Sequence, residues 1–359
     1  MSLPARAFSG ASWFDVVPRH VALPQLSPLT LLHAGPPYRG APPAAVRQAA
    51  VQALCFEGLA ADAPVAGAML DSGEVRLEPA QDHGLVTPLA QVVSGSMLLH
   101  AVRLGGSVRY APLVEGPPPA LRFGNTGEDL RDRLRALQVL FGASFAARLR
   151  AAPVDLLPVI AAGLEAGDEC HARTAATTAA LRERIVERDS PAASALEGNP
   201  GFVLPVLMAA AAAALDHHGA GIEAIGGNGC DFGVRHRGEP AWRRVAAAAP
   251  AGTRLAGHET ASPLGAIGDS AVIDCCGLGG QALAAAPLLL AEWRGRLPSD
   301  ALTRCARILD PDTGIVDARR VAAGGAGPLV NLAILDAAGV TGLIGRGIYA
   351  APAQLFAPR

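Results

Sequence analysis

The chain has 359 residues, enough for two or three domains with cores of their own. Half of it is hydrophobic but only 4% aromatic, and the formal net charge of −2 gives no support to a nucleic-acid partner. All 30 basic residues are arginine, which excludes Schiff-base lysine chemistry and a phosphate-loop lysine. Arginine remains well suited to bidentate binding of carboxylate or phosphate.

Residues 1–30, with prolines at 4, 18, 24 and 28, read as an entry arm that packs on something. No basic stretch followed by an apolar core opens the chain, so no signal peptide is expected. Residues 29–32 predict a short strand leading into the loop His33-Ala34-Gly35-Pro36-Pro37. Residues 44–59 carry a helical pattern, 66–70 form an apolar run, and 75–78 alternate as a strand does. A polar loop at 79–84 contains Asp82 and His83, with Glu74 and Glu78 just before it. Residues 86–97 are mixed and apolar, and 108–113 predict another strand. The stiff stretch Glu115-Gly116-Pro117-Pro118-Pro119 marks a domain boundary.

A helical region follows. Its first helix carries Leu130, Leu134, Leu137, Val139 and Leu140 roughly on one face. The second spans 154–164, kinked or shortened by Pro158, and the third spans 170–186, stopped by Asp189-Ser190-Pro191. Residues 202–215 predict a very apolar helix ending in His217-His218, which complements the helix dipole. Residues 222–234 and 265–293 show strand and glycine-turn character. In the latter, 271–276 reads as a buried strand, Gly277-Leu278-Gly279-Gly280 as a turn, and Gln281 onward as a helix broken by Pro287. Residues 315–320 and 330–335 are further strand candidates, and 345–349 are glycine-rich turns. The fold class expected is therefore α/β (α+β) and multi-domain: an N-terminal α/β region at 1–119, an all-helical insert at 120–198 and a glycine-rich α/β domain at 199–359.

The chemistry-bearing residues cluster. Gly167-Asp168-Glu169-Cys170-His171-Ala172-Arg173 packs acid, thiol, imidazole and guanidinium into seven residues. Asp168 has the place of a helix cap, while Glu169 and Arg173 also have ordinary helix-face ion-pair spacing. In Asn228-Gly229-Cys230-Asp231-Phe232-Gly233-Val234-Arg235, Cys230 is either a nucleophile near a histidine or a small buried hydrophobe. The six cysteines, at 55, 170, 230, 275, 276 and 305, form no CxxC pair, and free thiols in a reducing cytoplasm are expected. The alanine-rich runs are interrupted before they reach membrane-spanning length.

These motifs, together with Ser72-Gly73-Glu74, Arg122-Phe123-Gly124, Ile267-Gly268-Asp269-Ser270 and Ala284-Ala285-Ala286-Pro287, occur in an order that resembles the YlbE-like family of bacterial proteins, from about Leu29 to Phe356. That resemblance implies a multi-domain α/β protein linked to oxamate carbamoyltransferase, a hetero-oligomeric enzyme of purine and allantoin breakdown. It moves a carbamoyl group between oxalurate or oxamate and phosphate. The chain departs from the family in two respects. Most of a leading nucleotide-binding-like segment is expected to be missing, and GDExHNR reads GDECHAR, with Ala172 in place of an asparagine.

Carbamoyl transfer passes through an oxyanion-bearing species and requires anion binders and a proton carrier. Arg122, Arg173 and Arg235 are the candidate anion binders, and the Gly277, Gly279 and Gly280 turn is the candidate nest of N–H groups. Asn228 and Ser270 join them as substrate contacts. His83 and His171 are the candidate proton carriers, with Glu169, Asp231 and Asp269 as catalytic acids. No metal and no cofactor are expected. The partners expected are a small anionic substrate and companion subunits, with neither nucleic acid nor membrane. Two other readings stand beside this one: a non-catalytic scaffold or regulatory subunit of a neighbouring enzyme, and an amidohydrolase using Cys170 or Cys230.

Overall fold

The computed structural model describes residues 3–187, 190–219 and 221–357. It is a mixed α/β structure with thirteen strands among the described residues. In chain order these are β1 Ser12–Pro18, β2 Thr30–His33, β3 Arg76–Pro79, β4 Leu98–Leu104, β5 Ser107–Pro112, β6 Val154–Asp155, β7 Ile222–Asn228, β8 Asp231–His236, β9 Arg243–Ala246, β10 Ala251–Arg254, β11 Ile267–Gly268, β12 Leu329–Leu335 and β13 Leu343–Ala350. They form four small sheets, ordered β5-β4-β1-β6, β10-β13-β12, β11-β7-β8-β9 and β2-β3. Among the named strands of the described residues only β2 and β3 pair with each other in parallel, with Leu31 opposite Leu77.

The entry arm supplies β1, one of the two inner strands of the first sheet, paired with β4 with Val16 opposite His100. Neither β1 nor β4 was legible as a strand. Trp13 is flanked by Asp15 and Pro18, and its side chain closes an aromatic cluster with His100, Phe145 and Phe202 that only the tertiary fold assembles. The helix Val203–His218 is apolar around its whole circumference, and from Val203 to Leu215 nearly every residue is buried. Such a helix has no solvent face and belongs at the centre of a core. It packs on β4 and β5 on one side and on β7 and the short helix Ala271–Cys275 on the other. One hydrophobic cluster runs through it from Ala5 to Phe356.

Several expected elements take another form. Residues 271–276 are not a strand: Ala271–Cys275 is an α-helix. An apolar run buried on all sides has no period by which to tell the two apart. The helix expected from Gln281 is instead two 3-10 turns, Gly279–Gln281 and Leu283–Ala285. Pro287 does not break a helix but opens one, Pro287–Trp293, where its missing N–H costs nothing. Pro158 and Pro191 likewise sit in the first turns of Leu157–Glu165 and Pro191–Glu197. Ser190 caps the latter, accepting the N–H of Ala193 at 3.1 Å, while Asp189 lies outside the described residues. The third helix begins only at Ala175 and runs to Ile185, so 170–174 is loop. Residues 315–320 make a single bridge, Val316 to Leu309, before the helix Ala318–Gly324. The expected turns at 345–349 are inside β13, where glycines lie against the backbones of β10 and β12.

Candidate functional site

Between the helices Leu157–Glu165 and Ala175–Ile185 the chain turns through the acid-thiol-imidazole-guanidinium loop. Asp168 Oδ2 accepts the N–H of Thr177 at 2.9 Å and its hydroxyl at 3.0 Å, anchoring the start of the second helix. Cys170 holds a left-handed backbone, φ 68°, between Glu169 and His171. A non-glycine residue keeps that conformation only where its surroundings over-determine it. Here Glu169 does so: its carboxylate accepts the main-chain N–H groups of Ala172 and, at 3.0 Å, of Arg173. It is thus a cap for its own loop, and among the described residues it makes no ion pair with the Arg173 side chain.

His171 is fixed from the other side. Its Nδ1 lies 2.8 Å from Asp274 Oδ2, in the helix Ala271–Cys275. Asp274 Oδ1 accepts the N–H groups of Gly280 at 2.7 Å and Asn331 at 3.1 Å. Burial works against a charged His171 ring, but the charge and hydrogen bond of Asp274, with the charge of Glu169, together raise it above the ordinary imidazole value. Burial also raises Glu169, against the hydrogen bond from Asn331 Nδ2 and the His171 charge. With Nδ1 held, Nε2 is the ring nitrogen left for a proton exchange. Gly279 explains why this turn is glycine: at φ 55° a Cβ there would sit 2.2 Å from Asp274 Oδ1.

His171 lines a cleft of about 840 Å³ between β10, β12 and β13, the 168–174 loop and the segments at 88–89 and 116–123. Its walls carry four guanidiniums: Arg122, Arg173, Arg254 and Arg346. Arg346 is paired with Glu292, Nη2 to Oε2 at 2.5 Å. The others are less satisfied. Arg122 Nη1, Arg173 Nε and Arg254 Nη1 are buried without a hydrogen-bond partner. Burial lowers Arg122 to about 10, opposed by Glu115, whose carboxylate lies 3.6 Å away. A wall with surplus guanidinium N–H groups is a place for an anion with two or more oxygens. Among the described residues no group of three His, Cys, Asp or Glu side chains is placed to hold a metal ion.

The model of the family "Oxamate carbamoyltransferase subunit AllG" matches residues 75–270, more than half of the chain. The oxamate carbamoyltransferase subunit AllG of Escherichia coli K12 is 31% identical over 96% of this chain and 91% of its own length. The chain belongs to the AllG family. The uncharacterised protein YahG of the same organism is 29% identical over 93% of this chain and 78% of its own. A crystal structure of a conserved protein of unknown function from Enterococcus faecalis V583 superposes with a TM-score of 0.88 at 26% identity, covering 99% of this chain and 95% of that one.

Of the residues singled out in the sequence, His171, Arg122, Arg173 and Ser270 line the cleft, and Glu169 is joined to it through Asn331. The glycine turn stands behind His171 instead of facing the cleft: Gly277 and Gly279 donate to the carbonyls of Asp274 and Glu169, and Gly280 to the Asp274 side chain. Asp269 is fully buried one residue from Ser270. It accepts Gly35 N at 2.8 Å, Gln81 Nε2 at 2.6 Å and Thr87 N at 2.9 Å. Burial lifts its carboxyl to about 7 against those donors. Four others are outside the cleft wall. His83 pairs with Glu78 at 2.8 Å. Arg235 pairs with Asp82 and Glu223. Asp231 faces Arg39 and Arg244 at 3.9 and 3.7 Å. Asn228 Oδ1 closes the β7–β8 turn by accepting the N–H groups of Cys230 and Asp231.

Sequence reasoning passed over Asp274, Asn331, Arg254 and Arg346. The first two had a signal: each is a lone polar residue inside an apolar run, Val-Ile-Asp-Cys and Leu-Val-Asn-Leu, and both are fully buried. Arg254 ends β10 and Arg346 lies within β13 between two glycines, with no local pattern to mark either.

Proposed function

We propose that this chain is a subunit of an oxamate-type carbamoyltransferase and that its cleft holds the small anionic substrate. The observation that carries the reading is the meeting, in one cleft, of a carboxylate-fixed histidine with Arg173 and Arg254, each with one buried N–H that has no hydrogen-bond partner, and with Arg122, whose Nη1 has only the Glu115 carboxylate at 3.6 Å. Membership of the AllG family and the length of the match to an oxamate carbamoyltransferase subunit support it. The substrate expected is oxalurate with phosphate, or oxamate with carbamoyl phosphate, in the breakdown of purines and allantoin, with companion subunits in a cytoplasmic complex. Among the described residues no helix is long and apolar enough to cross a membrane.

In the phosphate-consuming direction a phosphate oxygen attacks the carbamoyl carbon of oxalurate. The C–N bond then breaks and the departing amide nitrogen of oxamate takes a proton. His171, whose charged form the Asp274 carboxylate favours against burial, supplies that proton from Nε2 and recovers one from the phosphate. Arg122, Arg173 and Arg254 hold the carboxylate and phosphate oxygens and stabilise the charge that develops on the carbonyl oxygen.

Co-purification with the products of neighbouring genes, followed by an assay for carbamoyl phosphate from oxalurate and phosphate, tests the reading. Arg173→Gln is expected to lower kcat/KM by about 10–100-fold, the loss of one charge-assisted hydrogen bond, with the fold intact by circular dichroism. Unchanged activity would remove Arg173 from the site. The thiol reading has opposing observations. Cys170 is fully buried and its thiol is pushed up to about 12 by burial, away from the thiolate a nucleophile needs. Cys170→Ser and Cys230→Ser are expected to keep most of the activity, and complete loss in either would favour an amidohydrolase.

A further inference from the structure

Asn331 is the one asparagine on β12, and both halves of it are held by acids. Its main-chain N–H goes to Asp274 Oδ1 at 3.1 Å and its side-chain Nδ2 to Glu169 Oε1 at 2.8 Å. Glu169 already accepts two main-chain N–H groups, so its oxygens act as acceptors and the Asn331 group facing it is the NH2. That settles which way the amide points and leaves Oδ1 as the other end. Oδ1 is buried and has no hydrogen-bond partner, in a residue that is 0% exposed and lines the cleft, so a molecule in the cleft that pairs with it must displace part of the wall. An acceptor left in that state calls for a donor, and the protein supplies none.

We propose that Asn331 reads the amide of the substrate, its Oδ1 accepting an N–H from the primary amide or carbamoyl nitrogen of a molecule seated in the cleft. The proposal rests on the reading above that the cleft binds a small carboxylate amide. The guanidiniums take the carboxylate, which any 2-oxo acid or dicarboxylate would offer. They cannot separate oxamate from oxalate or pyruvate. Asn331 can. Oxalate sets an oxygen against Oδ1, pyruvate sets a methyl group there and leaves it unpaired, and oxamate donates. A site whose buried polar group goes unpaired rejects the isostere that lacks the partner. Glu169 and Asp274 are positioning residues in this arrangement, and the same two acids orient Asn331 and His171. Amide recognition and proton transfer are therefore built on one network.

The test is a calorimetric titration of the full chain, with any companion subunits that co-purify, against inorganic phosphate, oxamate, pyruvate and oxalate. Oxamate is expected to bind at least about 10-fold more tightly than pyruvate and oxalate. In Asn331→Ala that preference should fall to within about 3-fold while phosphate binding stays unchanged. Asn331→Ser, smaller but still polar, is the second variant should the first fail to fold, with the same loss expected. If phosphate binds but the wild-type protein takes all three organic anions equally, Asn331 does not read the amide and the anion cleft stands. A preference that survives in the folded variant also overturns the proposal. Binding of none of the four anions overturns it together with the functional reading beneath it.

Discussion

His100 is wholly buried with neither ring nitrogen hydrogen-bonded, packed edge-on against Trp13 at 5.1 Å and Phe202 at 5.3 Å between ring centroids. It behaves as an aromatic hydrophobe that happens to carry two polar atoms. Burial lowers it to about 3, and burial lowers His33 to about 4 despite its contact with the Ala34 carbonyl. A histidine whose folded value lies below its unfolded value is protonated first in the unfolded chain. Stability is therefore lost as pH falls from the ordinary 6.5 toward about 4 and about 3, and the loss is complete below those values. Each site is worth on the order of 3–5 kcal/mol over that window. His171 runs the other way: its raised value adds stability that is fully present below the unfolded value and is lost as pH rises through the folded one. Replacing His100 by phenylalanine removes one acid-sensitive ring and two unpaired nitrogens. His100→Phe is expected to be at least as stable as the parent at pH 7, by up to about 1–3 kcal/mol, with a shallower loss of urea midpoint between pH 7 and pH 5. An unchanged slope would mean that the ring gains a partner or water below neutrality.

At the level of elements, the 277–280 turn makes sense only together with what it wraps. Gly280 has an ordinary backbone, yet a Cβ there would lie 2.1 Å from the Leu329 carbonyl oxygen, which is backbone and cannot swing aside. Gly280→Ala is expected to cost about 1–3 kcal/mol by overpacking and to loosen the Asp274 hydrogen bond that holds His171. The Gly324→Ala variant, in a helix with nothing within 4 Å of the added atom, is expected to be neutral or stabilising by up to about 1 kcal/mol. Equal urea midpoints for the two variants would sink the close-packing account. This segment also marks where sequence reading stops. The Gly277–Gly280 turn, and the gathering of acid, thiol, imidazole and guanidinium at 167–173, were legible from composition and spacing. That Ala271–Cys275 is helix and presents Asp274 to His171 was not, because a run buried on every side carries no period. β7, β8 and β12 were legible as strand-forming runs because β-branched and apolar residues mark them. β1 was not, because its Trp13, Asp15 and Pro18 suit a strand only beside the cluster they meet in the fold.

At the scale of the molecule, the cleft is lined from Pro88 to Arg346, and its guanidiniums come from segments more than 200 residues apart. No local pattern joins Arg122 to Arg254. They meet through the tertiary packing: the helix Val203–His218 packs on the first sheet and on the helix Ala271–Cys275, which in turn packs on β12. A ligand that binds the folded cleft and not the unfolded chain must appear as stability of the folded state. At 100 times its Kd an anion adds about 2.7 kcal/mol, enough to move the thermal midpoint by a few degrees. Phosphate or oxamate is expected to raise the midpoint in this way. The Arg254 side chain takes no part in the β10–β13 pairing, which is made by backbone groups. Arg254→Gln should therefore leave the ligand-free midpoint within about 1–2 °C of the parent and abolish most of the ligand-induced rise. A midpoint that drops without ligand would make Arg254 a structural residue. An undiminished rise in the folded variant would place the anion elsewhere than against this wall.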